Sequence, residues 1–167
     1  TTLISCVRSN SGEVALSATG GWGAYEFELV NITTGAIIQS FDINAIIGNL
    51  TAGQYTATVR DLNGCREQTS FTLADPTPIT ANHTVTENLC YDEQNASVTI
   101  TNVTGGQGSP GVYTYTLTYP DGTISANQSS NVFTNLLAGN YIVTVYDDYS
   151  CYSNPINVVI TDPTEVV

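Results

Sequence analysis

The chain has 167 residues, a formal net charge of −12, three arginines and no lysine. That balance argues against nucleic acid as a partner, because phosphate contacts need clustered Lys and Arg, and equally against an anionic membrane surface. No apolar run approaches the roughly 18 residues a membrane-spanning helix requires.

Only 11% of the residues are charged, where about a quarter is usual. The polar load falls on 25 Thr and 15 Asn. Thr is β-branched and suits strand surfaces, and Asn suits turns. No stretch keeps an apolar 3.6-residue period over three turns, so the composition predicts an all-β chain. The N-terminal residues show no basic region followed by an apolar one. Thr1 is therefore expected to begin a processed or excised segment.

In chain order, Val14, Leu16 and Ala18 alternate with Ala15 and Ser17 and predict the first strand. A glycine turn, Gly20 to Gly23, precedes a strand with Tyr25, Phe27 and Leu29 on one face. Tyr55, Ala57 and Val59 point inward in the next, the tight turn Asn63-Gly64 follows, and Phe71 and Leu73 mark a further strand. Asp75-Pro76-Thr77-Pro78 then interrupts the pattern, since two prolines withhold N–H groups and stiffen the backbone. Beyond it, Val98 and Ile100, Tyr113 to Tyr119, Tyr141 to Val145 and Ile156 to Ile160 repeat the alternation, with Asp121-Gly122 as a second tight turn.

The two halves are copies. AGQYTATVRDLNGC, Ala52 to Cys65, and AGNYIVTVYDDYSC, Ala138 to Cys151, agree at seven of fourteen positions. Cys6 and Cys90 are 84 residues apart, Gly20-Gly21 and Gly105-Gly106 are 85, Asn49-Leu50 and Asn135-Leu136 are 86, and Asp75-Pro76 and Asp162-Pro163 are 87. Landmarks in one order with so little drift predict two tandem units, residues 1–76 and 77–167. Six or seven short strands in about 80 residues is the content of a small immunoglobulin-like sandwich.

Leu50 to Tyr55 (LTAGQY) and Leu136 to Tyr141 (LLAGNY) resemble the tyrosine corner of Greek-key sandwiches. In such a corner the phenol packs inside and its hydroxyl bonds upstream backbone. Tyr55 and Tyr141 are assigned that structural role, with Gly53 and Gly139 expected to supply a positive φ. Each copy has one cysteine near its first strand and one after its tyrosine strand. The expectation is therefore one disulfide within each unit, Cys6–Cys65 and Cys90–Cys151. Each would close a loop of about 60 residues, worth roughly 4 kcal/mol by loop entropy. A four-cysteine zinc site fits poorly, since no CxxC pair occurs and the sole histidine, His83, follows the linker. Disulfides predict an extracellular location.

The pattern GG-x-G-x-Y, then NL-x-AG-x-Y-x-x-x-V-x-D-x-x-x-C, then DP, resembles the SprB-type repeat of large surface adhesins of gliding Bacteroidetes. Gly20-Gly21, Gly23 and Tyr25, then Asn49-Leu50 to Cys65, then Asp75-Pro76 carry it in the first copy. The second copy departs from it, with QGSPGVY after Gly105-Gly106 and Asp148-Tyr149-Ser150 before Cys151. The resemblance implies a secreted or cell-surface protein exported by type IX secretion, with non-enzymatic, spacer-like modules serving adhesion and gliding motility. It transfers no binding residue.

No catalytic constellation stands out: GxSxG, HExxH and a phosphate-loop lysine are all missing from the sequence. The chain is read as a non-enzyme with no catalytic residues, and no cofactor or metal site is assigned. Calcium is considered at the linker or at Asp147-Asp148, without a recognisable loop motif. Trp22, the one tryptophan, is a possible surface contact, or else it caps an end of the core. The expected partners are neighbouring repeats or like subunits, with surface glycans or proteins weighed beside them. Two other functions are weighed beside the spacer: a subunit of an extracellular fibre joined by strand or end-to-end docking, and a glycan-binding module.

Overall fold

The alternating runs become antiparallel strands. The computed structural model describes residues 4–7, 9–109 and 111–167. Its strands fall into two units, Thr1–Pro76 and Thr77–Val167.

In the first unit the strands are β1 (Gly12–Ala15), β2 (Glu26–Asn31), β3 (Ile37–Asp42), β4 (Ile46–Leu50), β5 (Gly53–Arg60) and β6 (Arg66–Leu73). They form a four-stranded sheet, β3-β2-β5-β6, and a two-stranded one, β1-β4. Inward residues of both sheets meet in one core: Leu29, Tyr55, Ala57 and Leu73 from the larger, Val14, Ile47 and Leu50 from the smaller, with Ile4 beside them. Two strands cannot cover four. Val59 stays only partly buried, and a cleft of about 250 Å³ opens between Phe27, Ala57 and Val59 and the segment Leu16–Thr19.

The second unit holds β7 (Thr80–Thr86), β8 (Ala96–Thr104), β9 (Thr114–Thr118), β10 (Val132–Leu136), β11 (Gly139–Tyr146) and β12 (Ile156–Ile160). Its sheets are three-stranded, β10-β8-β7 and β12-β11-β9. Val98, Ile100, Phe133 and Leu136 face Leu117, Tyr141, Val143, Val145 and Val158 across a fuller core. Where the first unit has β3, the second has isolated bridges, Tyr115 to Gln128 and Thr118 to Ile124. The outer faces hold the threonines, which pair across strands: Thr56 with Ser70 at 3.1 Å and Thr80 with Thr104 at 3.0 Å. On the outer face of the first unit, Phe41 carries the guanidinium groups of both Arg60 and Arg66, at 4.2 and 4.8 Å from the ring centre. Arg60 also pairs with Glu26.

The hydroxyl of Tyr55 donates to the carbonyl of Thr51 at 2.8 Å, and that of Tyr141 to the carbonyl of Leu137 at 2.9 Å. Each ring is buried beneath the strand entry it fastens. The positive φ of this motif falls only partly where expected. Gly139 has one (159°) and Gly53 does not, while Asn49 (56°) and Asn135 (57°) take the left-handed conformation. Glycine is needed after them for room: a Cβ on Gly139 lies 2.7 Å from Pro120 Cγ, and one on Gly53 lies 3.3 Å from Asn31 Nδ2.

The expected disulfides within each unit, Cys6–Cys65 and Cys90–Cys151, are not formed. Cys6 and Cys151 are disulfide-bonded, and Cys65 and Cys90 carry free, exposed thiols. Strand direction explains why. Ile4 lies against Gly12, beside Leu50 and Leu73, at the Gly53 end of β5, while Cys65 closes the turn beyond Arg60. Seven residues at about 3.3 Å each separate those ends by roughly 23 Å. A disulfide needs Cα atoms within about 7 Å. The second unit repeats the geometry. Asn88 and the backbone N–H of Asp92 bond Asp162 at 2.8 and 3.1 Å, which holds Cys90 near the start of β11. Cys151 follows the far end of that strand.

Four substitutions test these placements by urea unfolding. Tyr55→Phe and Tyr141→Phe should each cost about 0.5–1.5 kcal/mol, the net value of one hydrogen bond, and unchanged midpoints would rule out the hydroxyl's role. Gly105→Ala places a Cβ 2.0 Å from the carbonyl oxygen of Pro78 and should destabilise the second unit by about 3 kcal/mol or more. Gly64→Ala, whose Cβ meets open space at φ 82°, should cost only about 1–2 kcal/mol.

Candidate functional site

The glycine turn and the cysteine turn meet at one end of each unit, and a buried aspartate joins them. Asp61 follows β5. One of its oxygens accepts from the N–H groups of Asn63 and Cys65, both at 2.9 Å, and the other from the N–H of Trp22 at 3.1 Å. Its own N–H donates to the Cys65 carbonyl, and its carbonyl accepts from Gly64, both at 3.0 Å. Short polar side chains fold locally in this way, so the aspartate builds the turn around itself. The second unit reproduces it. Asp147 accepts from Tyr149 and Cys151 at 2.9 Å and from Gln107 at 2.8 Å.

Both loops have been cut to fit that carboxylate. A Cβ on Gly21 would lie 2.7 Å from an Asp61 oxygen, and one on Gly106 would lie 2.8 Å from an Asp147 oxygen. A second tyrosine closes each loop: the Tyr25 hydroxyl donates to the Gly20 carbonyl, and that of Tyr113 to the Gly105 carbonyl at 2.8 Å. The departures in the second copy leave the turn intact. Ser150 takes φ 62° where Gly64 takes 82°. Sequence reasoning passed over Asp61, Tyr25 and Tyr113 as site residues and weighed Asp147 only for calcium. Their signal was the shared spacing of the glycine pair, the tyrosine and the D-x-x-x-C ending.

Burial raises the pKa of Asp61, but hydrogen bonds from the backbone of Trp22, Cys65, Asn63 and Gly64 outweigh it, and the carboxyl titrates below its ordinary value. A depressed folded pKa stabilises above the unfolded value of about 3.9 and loses that contribution as pH falls through the folded value.

Trp22 stands out from this pinned loop with 74% of its surface exposed, as does Leu62 in the opposing turn. The N–H of Leu62 donates to the Gly23 carbonyl at 3.3 Å, which fixes the two turns side by side. The corresponding residues of the second unit are Gln107 and Asp148, so the apolar pair belongs to the first unit alone. His83 lies mid-strand in β7, exposed and paired with Ile100. Among the described residues no three His, Cys, Asp or Glu come together to hold a metal. The oxygens of Asp147 face N–H groups, and an oxygen of Asp148 accepts from Ser109 at 3.0 Å.

The family model of the SprB repeat matches residues 1–34 and 82–122. Each unit carries an SprB-repeat match. Both matched stretches contain the glycine loop and its tyrosine, Tyr25 or Tyr113, and both stop short of the cysteine turn. No curated protein matches the chain. Among solved structures, the amphioxus IgVJ-C2 molecule is 16% identical, with 95% of this chain and 99% of that one covered and a TM-score of 0.39. The fibronectin(III)-like modules of Clostridium thermocellum CbhA are 16% identical, with 94% and 87% covered and a TM-score of 0.43. Nothing about function passes from either to this chain.

Asp61→Asn replaces one acceptor oxygen with an NH₂ group that faces backbone donors. The variant should unfold at lower urea than the parent near pH 7, and the gap should narrow as pH falls below about 4. An equal gap at both pH values would remove the charged carboxylate from the account.

Proposed function

We propose that the chain is a pair of non-enzymatic structural repeats of a large secreted or cell-surface adhesin, acting as spacer and display units. The observation that carries this reading is the duplicated knot of aspartate, glycine loop and tyrosine. In both units the aspartate and the tyrosine of this knot are committed to backbone. The glycine turns cradle a carboxylate of the chain's own, leaving no open anion site there. An acidic surface with almost no cations favours separate copies in solution over self-association. The reading needs no resident cofactor, and its partners are other repeats of the same kind. Export through type IX secretion and a part in gliding come from the SprB resemblance.

A second reading has its own observation. Trp22 and Leu62 form an exposed apolar pair on a rigid turn, which suits stacking on a sugar ring or an apolar protein contact. The adhesin would then bind through its first repeat.

Light scattering over a concentration series, with the thiols alkylated, distinguishes a spacer from a fibre subunit. The expected mass is the monomer's 17.7 kDa throughout, and mass that grows with concentration would replace the spacer with the fibre. Glycan-array binding that disappears in Trp22→Ala would establish the second reading.

A further inference from the structure

We propose that the first unit holds an open seat for one more β-strand, between the continuation of β1 and β6. Its occupant is an extended, neutral or weakly basic segment with the side-chain pattern of β7, supplied from outside residues 1–167.

The second unit, taken by itself, shows what such a seat holds. There β8 bonds β10 along one edge and β7 along the other. Val85 lies opposite Val98, His83 opposite Ile100 and Asn82 opposite Thr101. Ile79, Ala81 and Val85 pack on the core, and β7 also touches β12 of the facing sheet. β1 is the counterpart of β8: Val14 pairs with Ile47 as Val98 pairs with Phe133. β6 is the counterpart of β12, each pairing with the tyrosine strand of its unit.

Among the described residues, β1 is bonded along its β4 edge alone. It also stops early. β8 runs nine residues and β1 only four, and the part that β1 lacks, from Leu16 onward, corresponds to the part of β8 that His83, Asn82 and Thr80 pair. Residues 16–19 keep the alternation of a strand, with Leu16 and Ala18 half-buried and Ser17 and Thr19 exposed. Leu16 donates its N–H to the Ala45 carbonyl at 2.7 Å, on the β4 side, which turns the N–H of Ser17 toward the open edge. No hydrogen bond joins Ser17, Ala18 or Thr19 to another described residue.

The cleft of about 250 Å³ lies between this segment and residues 67–69 of β6, the place that β7 takes between β8 and β12. Burial differs in step with it. Val145 and Ile100 are buried, while their counterparts Val59 and Leu16 are half-buried.

The chemistry of the seat selects its occupant. An added strand bonds the open backbone edge and lays alternate apolar side chains over Phe27, Ala57 and Val59. The charged residue lining the cleft is Glu67, on a chain of net charge −12, so an acidic strand is repelled. Residues 79–86 place Ile79, Ala81 and Val85 at alternate positions and include no acidic residue. The offset of 84 residues that relates Cys6 to Cys90 carries residues 80–84 ahead of Thr1, which is why the strand comes from outside residues 1–167.

The inference rests on the correspondence between the units and holds whether or not they act as spacers. The probe is a capped peptide of residues 79–86, titrated into the full isotope-labelled chain and followed by NMR. Amide shifts should gather at residues 16–19 and 67–69. At ten times Kd, hydrogen exchange of the Ser17 amide should slow about tenfold. A peptide of the same composition with its apolar residues made adjacent should leave the spectrum unchanged. Ala18→Glu, which adds a carboxylate to the cleft, should abolish binding; should that variant fold poorly, Ser17 protection in the parent decides alone. No shifts at millimolar peptide, equal binding of the rearranged peptide, or shifts at β7 and β8 instead would each overturn the seat. Protection of Ser17 that rises with the concentration of the chain alone would give the seat to a second copy and overturn an outside strand. A chain that stays monomeric in light scattering yet ignores the peptide keeps the spacer and loses the seat.

Discussion

A buried carboxylate in each unit decides how its loops are arranged. Asp61 and Asp147 are nearly inaccessible to solvent, and a charge in that position is costly unless N–H groups surround it. Three backbone N–H groups meet each one, two from its own turn and one from the glycine loop some 40 residues away. The glycine loop has little choice of conformation once that is so. It must approach without a Cβ, and its carbonyl must turn toward a tyrosine hydroxyl. The local sequence GG-x-G-x-Y and the distant D-x-x-x-C are thus two halves of one constraint.

The other end of each sandwich is fastened by a different device. There the Tyr55 and Tyr141 hydroxyls hold the strand entry, and Asn49 and Asn135 take the left-handed turn before it. Each unit is therefore gripped at both ends of its central strand. The first unit needs this more, because its small sheet covers only part of the large one and leaves a cleft beside Phe27.

Much of this could be read from the chain. Alternation located β2, β5, β8, β9, β11 and β12, because in each the apolar residues fall on one face and polar ones on the other. It did not single out β3 or β4: Ile37-Ile38 and Ile46-Ile47 are adjacent apolar pairs, with one member facing solvent on the small sheet and both on the edge strand. The tyrosine motif announced a strand entry, but glycine drew the eye as its left-handed residue when asparagine fills that role. The role of the aspartates stayed hidden, with Asp147 weighed only for calcium, since their partner in the glycine loop is a backbone N–H with no side-chain signature. The cysteines misled for a plainer reason. A repeat unit with two cysteines suggests an internal bridge, and only strand direction, which places them at opposite ends, speaks against it.

The arginines on Phe41 have a consequence for survival outside a cell. Enzymes that cut proteins after basic residues must draw an extended backbone into their cleft. With no lysine in the chain, such enzymes are left Arg8, Arg60 and Arg66. Arg60 and Arg66 pair directly across two strands, with their side chains folded onto one ring and their amides committed to the sheet. A trypsin-like enzyme would have to unzip that sheet before it could cut after Arg60 or Arg66.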